Sequence, residues 1–196
     1  MIYYISDLHF GCSNLFEGRD ENTDKFIQER WNSKVTNADD VYILGDIGKF
    51  GNTKDNMKLC QQLAILKGNK HLIVGNHDDL RDLRIKQLFC EICDYKEIVD
   101  PYCDNKKVIL SHYPILSWNG AYSRKNSSIL LYGHVHNNFD EEVFQSSLVS
   151  LRDAVERQGR DMGFPYAYNV GCMMPRMGYE PKTLKEILKH KISLTS

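Results

Sequence analysis

Apolar residues in this chain gather in short runs. Five of them, 2–5 (IYYI), 41–44 (VYIL), 71–74 (HLIV), 108–110 (VIL) and 129–132 (ILLY), are rich in β-branched and aromatic side chains. Runs of that length and content predict buried strands rather than helices. Between them the hydrophobic period lengthens. Residues 23–35 place Phe26, Ile27, Trp31 and Val35 on one face, with Asn22 or Thr23 as N-cap. Residues 55–67 place Leu59, Cys60, Leu63 and Leu66 at helical spacing and stop at Gly68. Residues 79–89 repeat the pattern less regularly through Leu80, Leu83, Ile85 and Leu88. Residues 147–158 predict an amphipathic helix on Leu148, Leu151 and Val155, and 183–190 a short terminal helix. Strands alternating with helices predict an α/β layered domain.

Composition narrows the class without naming an activity. The 196 residues suit a single domain, 1–196, and are enough to bury a sizeable core. With 25 Lys+Arg against 26 Asp+Glu, the formal charge is −1, which leaves no extended electrostatic surface for nucleic acid or an anionic membrane. The opening residues lack a basic leader and turn polar at Ser6-Asp7, and no stretch approaches transmembrane length. The six cysteines are scattered and read as reduced thiols of a cytoplasmic protein; Cys90-x-x-Cys93 has no second such pair and is read as ordinary cysteines near a helix end.

The ends of the predicted strands hold the chemistry. Ile5 leads to Asp7 and His9, and Leu44 to Gly45-Asp46. Val74 leads to Gly75-Asn76-His77-Asp78, Leu110 to Ser111-His112, and Tyr132 to Gly133-His134-Val135-His136. In open α/β sheets, ligands bind at the carboxyl ends of strands. Five of the seven histidines fall in these motifs; His71 and His190 lie outside them and read as structural or solvated. Singly, each motif is common; together they describe one site gathered from distant parts of the chain. Imidazole nitrogens mixed with carboxylate and amide oxygens, without thiolate, suit two divalent transition-metal ions, Mn first and Fe, Zn, Ni or Co as alternatives. Two such ions roughly 3.5–4 Å apart can clamp a phosphate and generate a bridging hydroxide near neutral pH.

The segments Asp7-Leu8-His9, Gly45-Asp46, Gly75-Asn76-His77-Asp78, His112 and Gly133-His134-Val135-His136 resemble, in order and spacing, the calcineurin-like metallophosphoesterase superfamily. The resemblance runs from residue 1 to about 137; Asn169-Val170-Gly171, Tyr179-x-Pro181 and Leu184-x-Glu186-Ile187 look like the closing strand and tail of small bacterial and phage members. It implies an α/β fold (α+β in some schemes), a four-layer αββα sandwich of two mixed sheets. It also implies that Asp7, His9, Asp46 and His136 hold one metal and that Asp46, Asn76, His112 and His134 hold the other, with Asp46 bridging. His77 would contact the phosphate or protonate the leaving oxygen, and Asp78 would orient the His77 ring. The sequence departs from the pattern after Asp46, where Ile47-Gly48-Lys49-Phe50 replaces a further Asp or Arg. Residues 138–166 match nothing in the pattern and are expected to be an insert.

Substrate contacts are sought in two loops. Asn14 and Arg19 follow the first motif, and Arg suits bidentate anion binding. Tyr113, Trp118, Tyr122, Arg124 and Lys125 lie between His112 and His134, where an aromatic ring can stack on a base and a cation hold a phosphate. The expected activity is hydrolysis of a phosphomonoester or phosphodiester, with a nucleotide among the candidate substrates. The alternatives are a non-catalytic scaffold of the same fold, a nuclease, or a cyclic nucleotide phosphodiesterase.

Overall fold

The four-residue run IYYI forms β1 (Ile2–Ile5), and three more parallel strands follow it in one sheet: β2 (Asp40–Ile43), β3 (Asn69–Ile73) and β4 (Glu91–Cys93), in the order β1-β2-β3-β4. The computed structural model describes residues 1–12, 22–125, 127–159 and 161–189. A second sheet holds β5 (Tyr95–Asp100), β6 (Lys106–Ser111), β7 (Ser128–Tyr132) and β8 (Tyr166–Asn169) in that order. Within it β5 runs antiparallel to β6, and β6, β7 and β8 run parallel. The first sheet gains a single antiparallel bridge, Tyr4 to Lys182.

The layers follow from which way the strand residues point. Side chains alternate along a strand. Val108 and Leu110 of β6, with Ile129 and Leu131 of β7, join the core that also holds β1, β2 and β3. The intervening Ile109, Leu130 and Tyr132 face the other way into a smaller cluster. The buried hydroxyl of Tyr4 donates to Asp100 Oδ2 at 2.9 Å, tying β1 to the end of β5 across the sheets.

Helices α1 (Thr23–Lys34) and α2 (Thr53–Ala64) bury Ile27, Trp31, Leu59 and Leu63 in the larger core. The Trp31 indole N–H donates to Lys67 O at 2.9 Å. Each fully buried Leu, Ile or Phe of this kind contributes about 1.5–3 kcal/mol. Phe26, expected on the same face, stays 45% exposed, with Tyr179 in a T-shaped contact and the Arg30 guanidinium over its ring. Gly68 ends the turn after α2 with φ +91°. The regular helix expected over 79–89 shrinks to α3 (Leu83–Lys86), since Asp79 and Asp82 bond the N–H groups of Arg81 and Arg84 locally.

Residues 138–166 are the crossover from β7 to parallel β8. Their helix α4 (Phe139–Gln158) begins at the Asn138 cap, eight residues before the periodicity becomes visible, and ends at left-handed Gly159. Phe144 and Leu148 pack with Ile109, Leu130, Tyr132 and Ala167, so α4 is the outer layer of the second sheet. The chain therefore has the four-layer αββα arrangement expected of it. The last helix, α5 (Leu184–Lys189), packs Leu184 and Ile187 into the larger core, and Thr183 and Glu186 cap its start reciprocally.

Candidate metal centre

The loops after β1, β2, β3, β6 and β7 meet at one edge of the sandwich. Asp7 N–H donates to Gly45 O (3.1 Å), His9 N–H to Asp46 O (2.9 Å) and Gly133 N–H to His112 O (2.9 Å). His134 N–H reaches the Asp7 carboxylate at 3.2 Å. Five candidate ligands sit in the left-handed backbone region: Asp7 (φ 56°), His9 (44°), Asp46 (54°), His134 (71°) and His136 (47°). For non-glycine residues that conformation costs about 1 kcal/mol or more apiece and persists only where the surroundings enforce it. Repeated strain at one edge marks a functional site.

Two ligand groups result. Asp7, His9 and His136 bring one donor atom each within 4.8 Å of one another, and so do Asp46, His112 and His134. Asn76 joins the second group, its Oδ1 lying 2.9 Å from His112 Nε2 and 2.8 Å from His134 Nδ1. Asp46 Oδ2 lies between the groups, 3.7 Å from His9 Nε2 and 3.6 Å from His112 Nε2. The seven residues expected as ligands thus lie together at one edge of the sandwich.

The donor set fits a cation. His112 Nδ1 lies 2.7 Å from Leu44 O, which can only accept, so this nitrogen carries the ring proton. Burial lowers the His112 pKa and keeps the ring neutral. Its Nε2 then presents a bare lone pair to the oxygens of Asn76 and Asp46, an arrangement a metal ion satisfies and a hydrogen bond does not. Burial likewise lowers His136. Asp7 is fully buried, and desolvation, followed by the Asp46 charge, pushes its pKa up to about 8. Without a cation Asp7 is largely protonated at neutral pH, so metal binding displaces a proton.

That shift has a sign in stability. Asp7 titrates near 3.8 in an unfolded chain and about 8 when folded. The folded metal-free protein therefore retains a proton the unfolded chain has released, and stability falls as pH rises through the interval. The lowered imidazoles act oppositely only below their ordinary 6.5. Thermal melts in chelator are expected to drop between pH 6.5 and 8 and to recover on adding Mn²⁺. A flat or rising profile in chelator would contradict a protonated Asp7.

Two expectations are corrected. Asp78 does not orient the His77 ring. Its half-buried carboxylate accepts from the backbone N–H groups of Asp46 (3.0 Å), Ile47 (2.9 Å) and Gly75 (2.8 Å), so it pins the loop after β2 to the loop after β3. Its pKa is raised, mainly by burial. His77 itself is exposed; its backbone N–H donates to Asp46 Oδ1 at 3.0 Å, and its ring lies 5.9 Å from that of His9. The second correction concerns the rim. Tyr113 is at the site, its ring 4.7 Å from that of His134 and 45% exposed. Arg124 instead pairs with Asp161, and Trp118 is buried beneath α4. Trp118, Tyr122 and Lys125 line a cavity of about 800 Å³ at Lys106 and Ser127, where β6 and β7 begin. A strand length of roughly 15 Å separates those beginnings from the candidate metal ligands. Asn14, Arg19 and His190 lie outside the described residues. His71 faces Asp40 at 3.1 Å and stacks on Tyr42, away from the centre. The altered loop after Asp46 turns inward: Gly48 bridges to Phe10, and Lys49 pairs with Asp55 at 3.6 Å.

Two sheets face to face with paired ligand groups at their strand ends define the architecture of a metal-dependent phosphoesterase. The chain belongs to the calcineurin-like phosphoesterase superfamily, whose domain matches residues 1–162. It is 31% identical over 172 residues to the Gene 66 protein of Mycobacterium phage D29, spanning 77% of this chain and 84% of that protein. An uncharacterised protein of Methanocaldococcus jannaschii is 28% identical over 150 residues, 73% of this chain and 74% of its own. The crystal structure of a protein of unknown function from Aquifex aeolicus matches with a TM-score of 0.69 at 26% identity, covering 96% of this chain and 98% of that one. Membership and the ligand groups together support metal-dependent phosphoester hydrolysis in general, with two divalent ions as the family's usual cofactor. No helix among the described residues is long and apolar enough to cross a membrane.

Proposed function

We propose that the protein hydrolyses a phosphomonoester or phosphodiester using two divalent transition-metal ions. Asp7, His9 and His136 would hold one, Asn76, His112 and His134 the other, and Asp46 would serve both. The observation that carries this reading is Asp46 Oδ2, which lies almost equally far from His9 Nε2 and His112 Nε2. The mixture of nitrogen and oxygen donors is compatible with Mn, Fe, Zn, Ni or Co, and Mn²⁺ is the ion we propose. When bound, the ions supply Lewis-acid charge for phosphoryl oxygens and lower the pKa of water.

The chain's own residues do the rest. Asp78 holds two ligand loops in register through three backbone N–H groups, which keeps Asp46 in its left-handed turn. The His77 ring, exposed and anchored through its backbone to Asp46, would hydrogen-bond the phosphate or deliver a proton to the leaving oxygen. Tyr113 offers an exposed aromatic face beside His134, which supports a substrate with a planar group, such as a nucleotide. None of the six cysteines is in a disulfide, in keeping with a reducing, cytoplasmic setting.

The test is His77→Gln, assayed with Mn²⁺ on p-nitrophenyl phosphate, bis-p-nitrophenyl phosphate and an alkyl phosphate. Turnover is expected to fall about 10²-fold, with the deficit growing as the leaving oxygen becomes more basic, while metal content stays unchanged. Loss of metal in this variant would show His77 to be a ligand instead.

A further inference from the structure

We propose that Asn169 and Glu141, neither of them a ligand, position the Asp7, His9 and His136 metal site and leave the other site alone. This rests on the two-metal reading above.

Asn169 closes β8 and is 2% exposed. Its amide makes three bonds: Nδ2 donates to His136 O at 3.0 Å and to Glu141 Oε2 at 3.1 Å, and Oδ1 accepts from Gly171 N–H at 2.9 Å. A fully bonded amide has one orientation available, so it fixes what it touches. One thing it touches is the carbonyl of His136, in a loop whose left-handed backbone needs an outside hold. The other is the 170–172 segment directly beneath Asp7. There Ser6 N–H donates to Val170 O, Cys172 N–H donates to Ser6 O, and the Cys172 thiol reaches Asp7 O at 3.0 Å. A methyl on Gly171 would come within 2.9 Å of Asp7 Oδ2, which shows how closely this segment supports the carboxylate.

Glu141 holds Asn169 in turn. Sitting in the first turn of α4 and 9% exposed, it takes the Tyr132 hydroxyl at 2.8–3.0 Å and the Gln145 amide at 3.2 Å as its other partners. The chain of bonds runs from α4 through Asn169 to His136 and Asp7. At the other site Asp78 accepts from the N–H groups of Asp46 and Gly75, and His112 Nδ1 donates to Leu44 O; backbone links from His134 N–H to the Asp7 carboxylate and from Asp7 N–H to Gly45 O join the two sites. Asn169 thus reaches the His136 loop and the segment under Asp7, while Asp78 reaches the Asp46 loop, so the two sites have different side-chain supports.

The experiment titrates Mn²⁺ into the metal-free full chain by calorimetry. His136→Ala and His112→Ala variants identify which affinity class belongs to which site. Asn169→Asp keeps the acceptor for Gly171 but turns a carboxylate oxygen towards His136 O and Glu141. It is expected to weaken the His136 class 10- to 100-fold and leave the His112 class within about twofold. A purely structural role would instead lower the melting temperature of the metal-free protein and weaken both classes together; that result, or two unchanged affinities, overturns the proposal. Should Asn169→Asp not fold, Glu141→Gln sets an amide donor against Asn169 Nδ2 and must give the same selective loss, several-fold in size. A wild-type chain that binds no Mn²⁺ would refute the two-metal reading itself, whereas two intact classes in both variants would refute only this inference.

Discussion

Asp46→Asn is expected to lower kcat/KM with Mn²⁺ by on the order of 10³-fold, about 4 kcal/mol of transition-state stabilisation. The substitution is nearly isosteric, so the effect comes from charge and donor placement. Asp46 Oδ1 already accepts from His77 N–H at 3.0 Å. An asparagine keeps that bond by setting its oxygen there, which puts its NH₂ where Oδ2 faces His9 and His112. A hydrogen-bond donor then points at both metal sites, and the negative charge that would serve two cations is gone. The metal-free fold should not suffer. Removing the Asp46 charge relieves Asp7, whose pKa it helps to raise, so the variant should melt at or above the wild-type temperature in chelator. Activity within tenfold of wild type would refute a shared carboxylate.

Gly45→Ala should be the most damaging substitution at the site. Gly45 has φ +87°, which an alanine adopts only under strain. Its added methyl would also lie 2.7 Å from Gly75 Cα and Gly75 N and would strike the His112 ring at Nδ1. Backbone cannot yield as a side-chain tip does, so β2 and β3 must part or His112 must leave Leu44 O. The expected destabilisation is about 3 kcal/mol or more in urea unfolding. In whatever folded protein remains, the His112 site should have lost its metal. A stable variant with full metal content would show that the three loops tolerate separation and that the site is less tightly built than this geometry requires.

The candidate ligands were legible because of where they stand. Each follows a short apolar run, and a buried parallel strand announces itself by just such a run, so seven dispersed residues could be assigned to one edge without coordinates. The partition of those ligands between two metals came from family resemblance and not from spacing. What stayed hidden has physical reasons. Strand β5 alternates Lys96, Ile98 and Asp100 on its more buried side with exposed Tyr95, Glu97 and Val99, so it carries no hydrophobic run. Strand β4 is three residues long and only half-buried. Near the start of α4 Phe139 and Val143 are exposed and the buried residue is Glu141, so the apolar period is recognisable only from Leu148 onward. That orientation made 138–166 look like an addition, although it is the second sheet's outer layer.

The misread roles share a cause. Asp78 beside His77 suggests a side-chain pair, yet its carboxylate turns inward to three backbone N–H groups, which leave no mark in sequence. Tyr113 follows a ligand directly and remains at the site. Arg124 lies further along a loop that returns to the start of β7, and it ends beside Asp161. Glu141 stands in an acidic first turn, Asp140-Glu141-Glu142, where nothing distinguishes a buried network member from ordinary helix-dipole charges.

Anomalous diffraction at the manganese edge from Mn²⁺-loaded crystals decides whether two ions bind on either side of Asp46. The expected map has two peaks per chain in the wild type, one among Asp7, His9 and His136 and one among Asn76, His112 and His134, both bonded to Asp46. In Asp46→Asn at least one peak should fade. A single peak in the wild type, or two peaks of which either lies out of Asp46's reach, would rule out a two-metal centre shared by Asp46.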